Sequence, residues 1–167
     1  MKSLKNYMII GIIFVSLSGT LLHFAYEWFS NNALVGLFTP INESTWEHTK
    51  LLFFPMIIYT FYLIKKIGSK YPCIGSSMIT GAFTGILLII TLFYTYSGII
   101  GFNIAFIDIS IFFISVILSF ILAYKLTLSC RLTSFSSLLL ILMLIIIGLF
   151  IVFTIYPPVI PLFISPV

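Results

Sequence analysis

Charge is what this sequence has least of. Only 7% of its 167 residues are Asp, Glu, Lys or Arg, and the acids number four: Glu27, Glu43, Glu47 and Asp108. Soluble domains carry roughly 25–35% charged residues on their surfaces, so a water-facing globule is excluded. Cysteine occurs twice, as Cys73 and Cys130, far apart and outside any CxxC spacing. The expectation for both is a reduced thiol packed as a small hydrophobe. Polar residues do not alternate with apolar ones, which excludes membrane-barrel strands of ~10 residues with a two-residue period. There is no HExxH or comparable catalytic motif. The net charge of +4 is dispersed over chain segments and forms no patch that would recruit nucleic acid.

What is present is hydrocarbon. The chain is 61% hydrophobic and 17% aromatic, with a mean hydropathy of +1.25. Apolar runs of 18 or more residues read as transmembrane helices, and five occur: about 7–29, 45–64, 74–96, 103–124 and 135–156. The expected fold is therefore all-α, a single domain over 1–167 built as an integral membrane bundle of five transmembrane helices, followed by an apolar, Pro-rich tail at 157–167. Lys2 and Lys5 precede the first run, Lys65, Lys66 and Lys70 fill the second connection, and Lys125 and Arg131 fill the fourth. The positive-inside rule puts these on the cytoplasmic face, giving an inside N-terminus and an outside C-terminus. The first run resembles a signal peptide in its basic start, but its length favours an uncleaved helix. The expected location is the cell (cytoplasmic) membrane, multi-pass, with the lipid bilayer as partner.

Counting ~20 residues of span from the inner charges brings His23, Glu27, Glu47, His48 and Asp108 to one level at the outer face. An ionisable group at mid-bilayer costs at least ~2.5–3.5 kcal/mol, so such residues are functional candidates by default. Ser16, Thr20, His23 and Glu27 form a polar stripe on the first helix, and Glu43, Glu47 and Lys50 a second one. Pro55 should free the carbonyl of Leu51 and kink the second helix. Ser77, Gly81 and Gly85 at four-residue spacing read as a packing seam on the third. Trp28, Trp46 and Tyr26 fit an outer aromatic belt, and the tail is expected along the outer surface, folding over the polar cluster.

Two readings compete for the cluster. In one, Asn42 N-caps the second helix or Ser44 and Glu47 form a capping box, Lys50 pairs with Glu47 or Glu43, and Glu27 ends the first helix in the headgroup region. The chain is then a non-enzymatic membrane component, docking a membrane-protein partner or serving as a small-molecule-binding or transport subunit. In the other, imidazole and carboxylate ligands on facing helices hold a metal. His23, Glu47, His48 and Asp108 are the candidate ligands, with Glu43 or Glu27 in support or as the catalytic base. Nitrogen and oxygen donors without thiolate point to Zn, Mn or Fe and to metal-dependent hydrolysis of a lipid or other substrate at the outer face. Paired axial haem ligation by His23 and His48 is disfavoured by the surrounding acids. Ion-coupled transport is disfavoured by the lack of midplane charge and internal repeats.

The stretches Leu22-His23-Phe24-Ala25-Tyr26-Glu27-Trp28 and Asn42-Glu43-Ser44-Thr45-Trp46-Glu47-His48-Thr49-Lys50 resemble an uncharacterised, domain-of-unknown-function family of small Gram-positive bacterial membrane proteins with LHxxYEW and NESxWEHxK motifs. Tyr156-Pro157-Pro158 and Pro161-Leu162-Phe163 are similar to that family too. Its members often have His and Asp where this chain has Val159 and Ser165, a departure that removes two potential ligands from the tail. The resemblance implies a membrane protein and names no reaction.

Overall fold

The computed structural model describes residues 3–166; Lys2, used above for orientation, lies outside them with Met1 and Val167. Helix α1 (Leu4–Trp28) starts on Ser3, whose hydroxyl accepts the Asn6 amide. It stops where Ser30 and Asn31 take φ values of 53° and 57°, and the Asn31 amide donates to the Tyr26 carbonyl at 2.9 Å, satisfying an end carbonyl. A single turn, α2 (Ala33–Gly36), leads through an irregular loop to α3 (Thr45–Ile67). Helix α4 (Ile74–Ile100) ends at Gly101, whose φ of 90° suits only glycine. Helices α5 (Ala105–Ser129) and α6 (Ser136–Ile155) follow, with short 3-10 turns at Thr133–Phe135 and Pro161–Phe163.

Each expected hydrophobic segment overlaps one long helix, three of them running one or two residues past its ends, but length and apolarity alone support four spans rather than five. Among the described residues four helices are long and apolar enough to cross a membrane: Leu4–Trp28, Ile74–Ile100, Ala105–Ser129 and Thr133–Ile155. The exception is α3, which carries Glu47, His48, Lys50, Lys65 and Lys66. Its placement follows from that polarity. Most of α3 is buried, including Glu47 and Lys50, whereas Lys65 and Lys66 emerge at its far end. It packs against α1 and α4, α5 closes the ring by packing against both, and α6 lies outside against α4 and α3. The least apolar helix thus buries its polar first half, while α6 presents Leu138, Ile141, Leu144 and Ile145 outward. Four apolar spans with such exteriors fit a multi-pass membrane protein.

Close approach of α4 to its neighbours depends on the expected small-residue seam. A Cβ on Gly81 would lie 2.8 Å from the Ser119 carbonyl oxygen, and one on Gly85 2.6 Å from the Ser119 hydroxyl. The antiparallel α4–α5 hairpin also brings together the two cysteines expected as separate thiols. Cys73 and Cys130 are joined as a disulfide with Cα atoms 5.4 Å apart. Trp46 is corrected as well. It is not in a surface belt but buried, its ring 4.9 Å from Phe150 and 5.3 Å from Phe163. Trp28 remains exposed.

The end of the bundle carrying the acids is tied by a buried ion pair. Lys50, fully buried, donates to Glu47 Oε2 at 2.7 Å, to the Gly36 carbonyl at 3.0 Å and to the Thr154 hydroxyl of α6 at 2.6 Å. Glu47 Oε2 also accepts the Ile41 amide at 3.1 Å. One charge pair therefore fastens α3, α6 and the loop after α2. Removing one partner of such a pair costs about 3–5 kcal/mol because the other charge stays buried, whereas an apolar replacement of both is often neutral. Lys50→Met is expected to lose that much in reversible detergent unfolding, and Glu47→Leu/Lys50→Met to recover most of it. Equal stability of Lys50→Met and the wild type would show that the pair holds nothing.

Candidate metal centre

Helix α3 begins at Ser44, whose hydroxyl accepts the Glu47 amide at 3.4 Å. The expected capping box is only half formed. Asn42 Oδ1 takes the Ser44 amide at 2.9 Å, and the Glu47 carboxylate is turned toward Lys50. This local geometry sets His48. Its Nδ1 lies 2.9 Å from the Ser44 carbonyl oxygen, which can only accept, so Nδ1 carries the proton. Nε2 is left facing Glu43 Oε2 at 3.3 Å.

From α1, His23 completes the group. Its ring lies 5.3 Å from the His48 ring, and its Nδ1 is buried without a hydrogen-bond partner. Ligand atoms of His23, Glu43 and His48 all fall within 4.8 Å of one another. Donors held ~2.0–2.1 Å from a tetrahedral zinc lie roughly 3.3 Å apart. The Glu43–His48 separation already matches that edge, and modest side-chain rotation would bring His23 in.

These residues line one end of a cavity of about 500 Å³, otherwise walled by apolar groups such as Leu51, Ile89 and Phe112. Asp108 lines it too, from the first turn of α5. Its carboxylate accepts a hydrogen bond from the Tyr96 hydroxyl, and Asn103 Nδ2 lies 3.4 Å away. The floor is set by Gly19, where a Cβ would lie 2.6 Å from the Leu51 carbonyl oxygen. Pro55 cannot donate to that carbonyl, as expected, yet helix α3 continues through it. The tail folds back so that Pro166 forms part of the wall.

The expected ligand set is thus regrouped. His23 and His48 come together, Asp108 shares their cavity, and Glu47 is withdrawn by Lys50, with Glu43 in its place. Glu27, the other candidate base, is exposed at the end of α1. In the tail, Val159 is exposed and Ser165 lines an adjoining groove. Tyr96, Asn103 and Thr154 were not anticipated. Tyr96 had a possible signal in the short link that must return α5 beside the end of α4, while Thr154 had none.

The whole chain, residues 1–167, matches a family of unknown function, DUF6512. The chain belongs to that family. No curated protein and no solved structure matches it. The DUF6512 assignment supplies no activity, so the chemistry rests on the side chains.

The hydrogen bond from His48 holds the Glu43 carboxyl below its ordinary value of 4.5, against the opposing effect of partial burial, with charge on His48 and then His23 adding to it. A depressed carboxyl stabilises the fold in full above its unfolded value and loses that contribution as pH falls through the folded one. In metal-free protein, the melting-temperature gap between wild type and Glu43→Gln should therefore be present just above pH 4.5 and shrink on further acidification. A gap that widens in acid would assign the pairing to another group.

Proposed function

We propose that this chain crosses the cytoplasmic membrane five times, α3 included, and holds a divalent metal between His23, His48 and Glu43 at its outer end. The five-span reading is supported by the length of α3 and by its packing between α1 and α4 in the bundle. Its orientation follows from Lys5, Lys65, Lys66, Lys70, Lys125 and Arg131, which put the basic connections in the cytoplasm. On that side the Cys73–Cys130 disulfide would face a reducing compartment and be open to reduction.

The observation that carries the metal reading is the pair of imidazole nitrogens at the site. His48 Nε2 faces a carboxylate oxygen at 3.3 Å, and His23 Nδ1 is buried with nothing to bond. Two imidazoles and a carboxylate gathered this closely suit a shared proton or a bound cation. The Ser44 carbonyl behind His48 is the kind of support that orients a metal-bound imidazole. Two nitrogens and a carboxylate suit Zn, Mn or Fe. A metal held by these residues would supply an activated water for hydrolysis of an ester, amide or phosphodiester. Asp108 would accept the proton that water releases, and the Tyr96 hydroxyl bonded to it orients that carboxylate. A metal-dependent hydrolase is the activity this arrangement supports best.

A second reading is favoured by the exposure of Glu43. A protonated His48 paired with Glu43 needs no metal, and the loop then becomes a docking segment for a membrane partner. Elemental mass spectrometry on detergent-purified protein separates the two. About one Zn, Mn or Fe per chain is expected, lost in His23→Ala/His48→Ala and retained in Asn32→Ala, since metal affinity resides in the ligands. Metal-free wild type after reloading with each ion would leave the ion pair as the explanation.

A further inference from the structure

The cavity beside the proposed centre opens sideways. Its lining includes Thr20 and Phe24 of α1 and Ile109 and Phe113 of α5. Phe24, Ile109 and Phe113 are also 44%, 57% and 38% exposed on the outer surface of the bundle. Residues that line a cavity and face outward together mark its mouth, which therefore lies between α1 and α5. Both helices are apolar enough to cross a membrane, so that mouth faces acyl chains. Water would reach the site by another route. The adjoining groove, lined by Ser97, Gly101, Phe102 and Ser165, shares Thr45, Phe93, Asn103 and Pro166 with the cavity.

We infer that the substrate is a membrane glycerolipid that enters laterally between α1 and α5, with its chain in the apolar mouth and its ester or phosphate oxygens at the His23–His48–Glu43 end. This deepens the metal reading and rests on it for the seating of the head. A divalent ion held there would offset carboxylate charge on Glu43 and Asp108, so a head could be taken without a large charge penalty. The volume of about 500 Å³ lies within the ~300–1,000 Å³ typical of small-molecule sites. That is enough for a head and the start of a chain, while the rest stays in the bilayer through the mouth. A water-soluble substrate would have no use for an opening walled by Phe24, Ile109 and Phe113. The tail completes the separation. Phe163 packs 5.3 Å from Trp46 and 4.9 Å from Phe153, holding Pro166 between the lipid-side cavity and the outer groove.

The test is photolabelling of the full chain in lipid nanodiscs with phosphatidylglycerol bearing a diazirine in its acyl chain, followed by peptide mapping and metal analysis of the same samples. Labelling is expected to concentrate at residues 19–24 and 105–113 and to fall on the order of tenfold, equivalent to about 1.4 kcal/mol, in Thr20→Trp and in Ile109→Trp. Ile13→Trp, at an exposed α1 position away from the mouth, should label as wild type. Unlabelled phosphatidylglycerol should compete and soluble glycerol phosphate should not. Labelling spread evenly over the outward faces, unchanged in both mouth variants, would overturn the lipid assignment even with metal bound. Competition by glycerol phosphate would overturn lateral access. Focused, mouth-dependent labelling of metal-free protein would uphold the lipid site and sink the metal centre instead.

Discussion

A lysine without access to water organises the acid-bearing end of this bundle. Lys50 satisfies its three protons on Glu47, Thr154 and the Gly36 carbonyl, with the Thr39 carbonyl 3.4 Å away. Glu47 in turn accepts the Ile41 amide. Every one of these partners belongs to an element that would otherwise be free to move: the loop after α2, the outermost helix α6, or the first turn of α3. Buried charge is tolerated only with such complete pairing. Completeness here fixes the loop that carries Glu43. Because Glu47 is spent on Lys50, Glu43 alone is left to face His48, and the imidazole is oriented by the Ser44 carbonyl of the same turn. The candidate centre is a by-product of satisfying that lysine.

The same constraint explains the order of the helices. In a bilayer, exposing Glu47 or Lys50 to lipid would be costly, so α3 buries its polar first half against α1, α4 and α6, while Ile58, Phe61 and Ile64 of its far half stay exposed. Helix α6 has no charged residue at all and lies at the rim. It is nonetheless fastened, because Thr154 reaches both members of the ion pair and the aromatic cluster of Phe150, Phe153, Trp46 and Phe163 lies on its inner face.

Much of this was legible in the sequence, and what was not has definite causes. Helix positions followed from run length alone, since a bilayer allows few alternatives. That His23, His48 and Asp108 line one cavity agrees with counting residues between basic flanks and acids. Two things did not follow. Whether α3 faces lipid or protein depends on how many neighbours surround it, which local polarity does not specify. Which of Glu43 and Glu47 meets His48 depends on which carboxylate Lys50 selects. Both lie within reach of that lysine along the chain, and only the folded loop, which presents the Ile41 amide and the Gly36 carbonyl, decides it. The cysteine pair was missed for a similar reason, because adjacency across the α4–α5 hairpin is a property of register.

Glycine and proline together explain why a cavity persists at this end of an otherwise close-packed bundle. Pro55 leaves the Leu51 carbonyl without its helical donor, and an unsatisfied carbonyl facing lipid would be unfavourable. Helix α1 covers that position with Gly19, the residue that permits such an approach; a side chain there would meet both the carbonyl and the Phe112 ring at 2.6 Å. Helices α1 and α3 touch at this point, and His23 and Asp108 line the same cavity from α1 and α5. A floor pinned by backbone contact, with a roof pinned by the Lys50 pair and the folded tail, leaves a space that side-chain repacking cannot collapse. The polar groups of four chain segments can then face one another across it, instead of being buried separately.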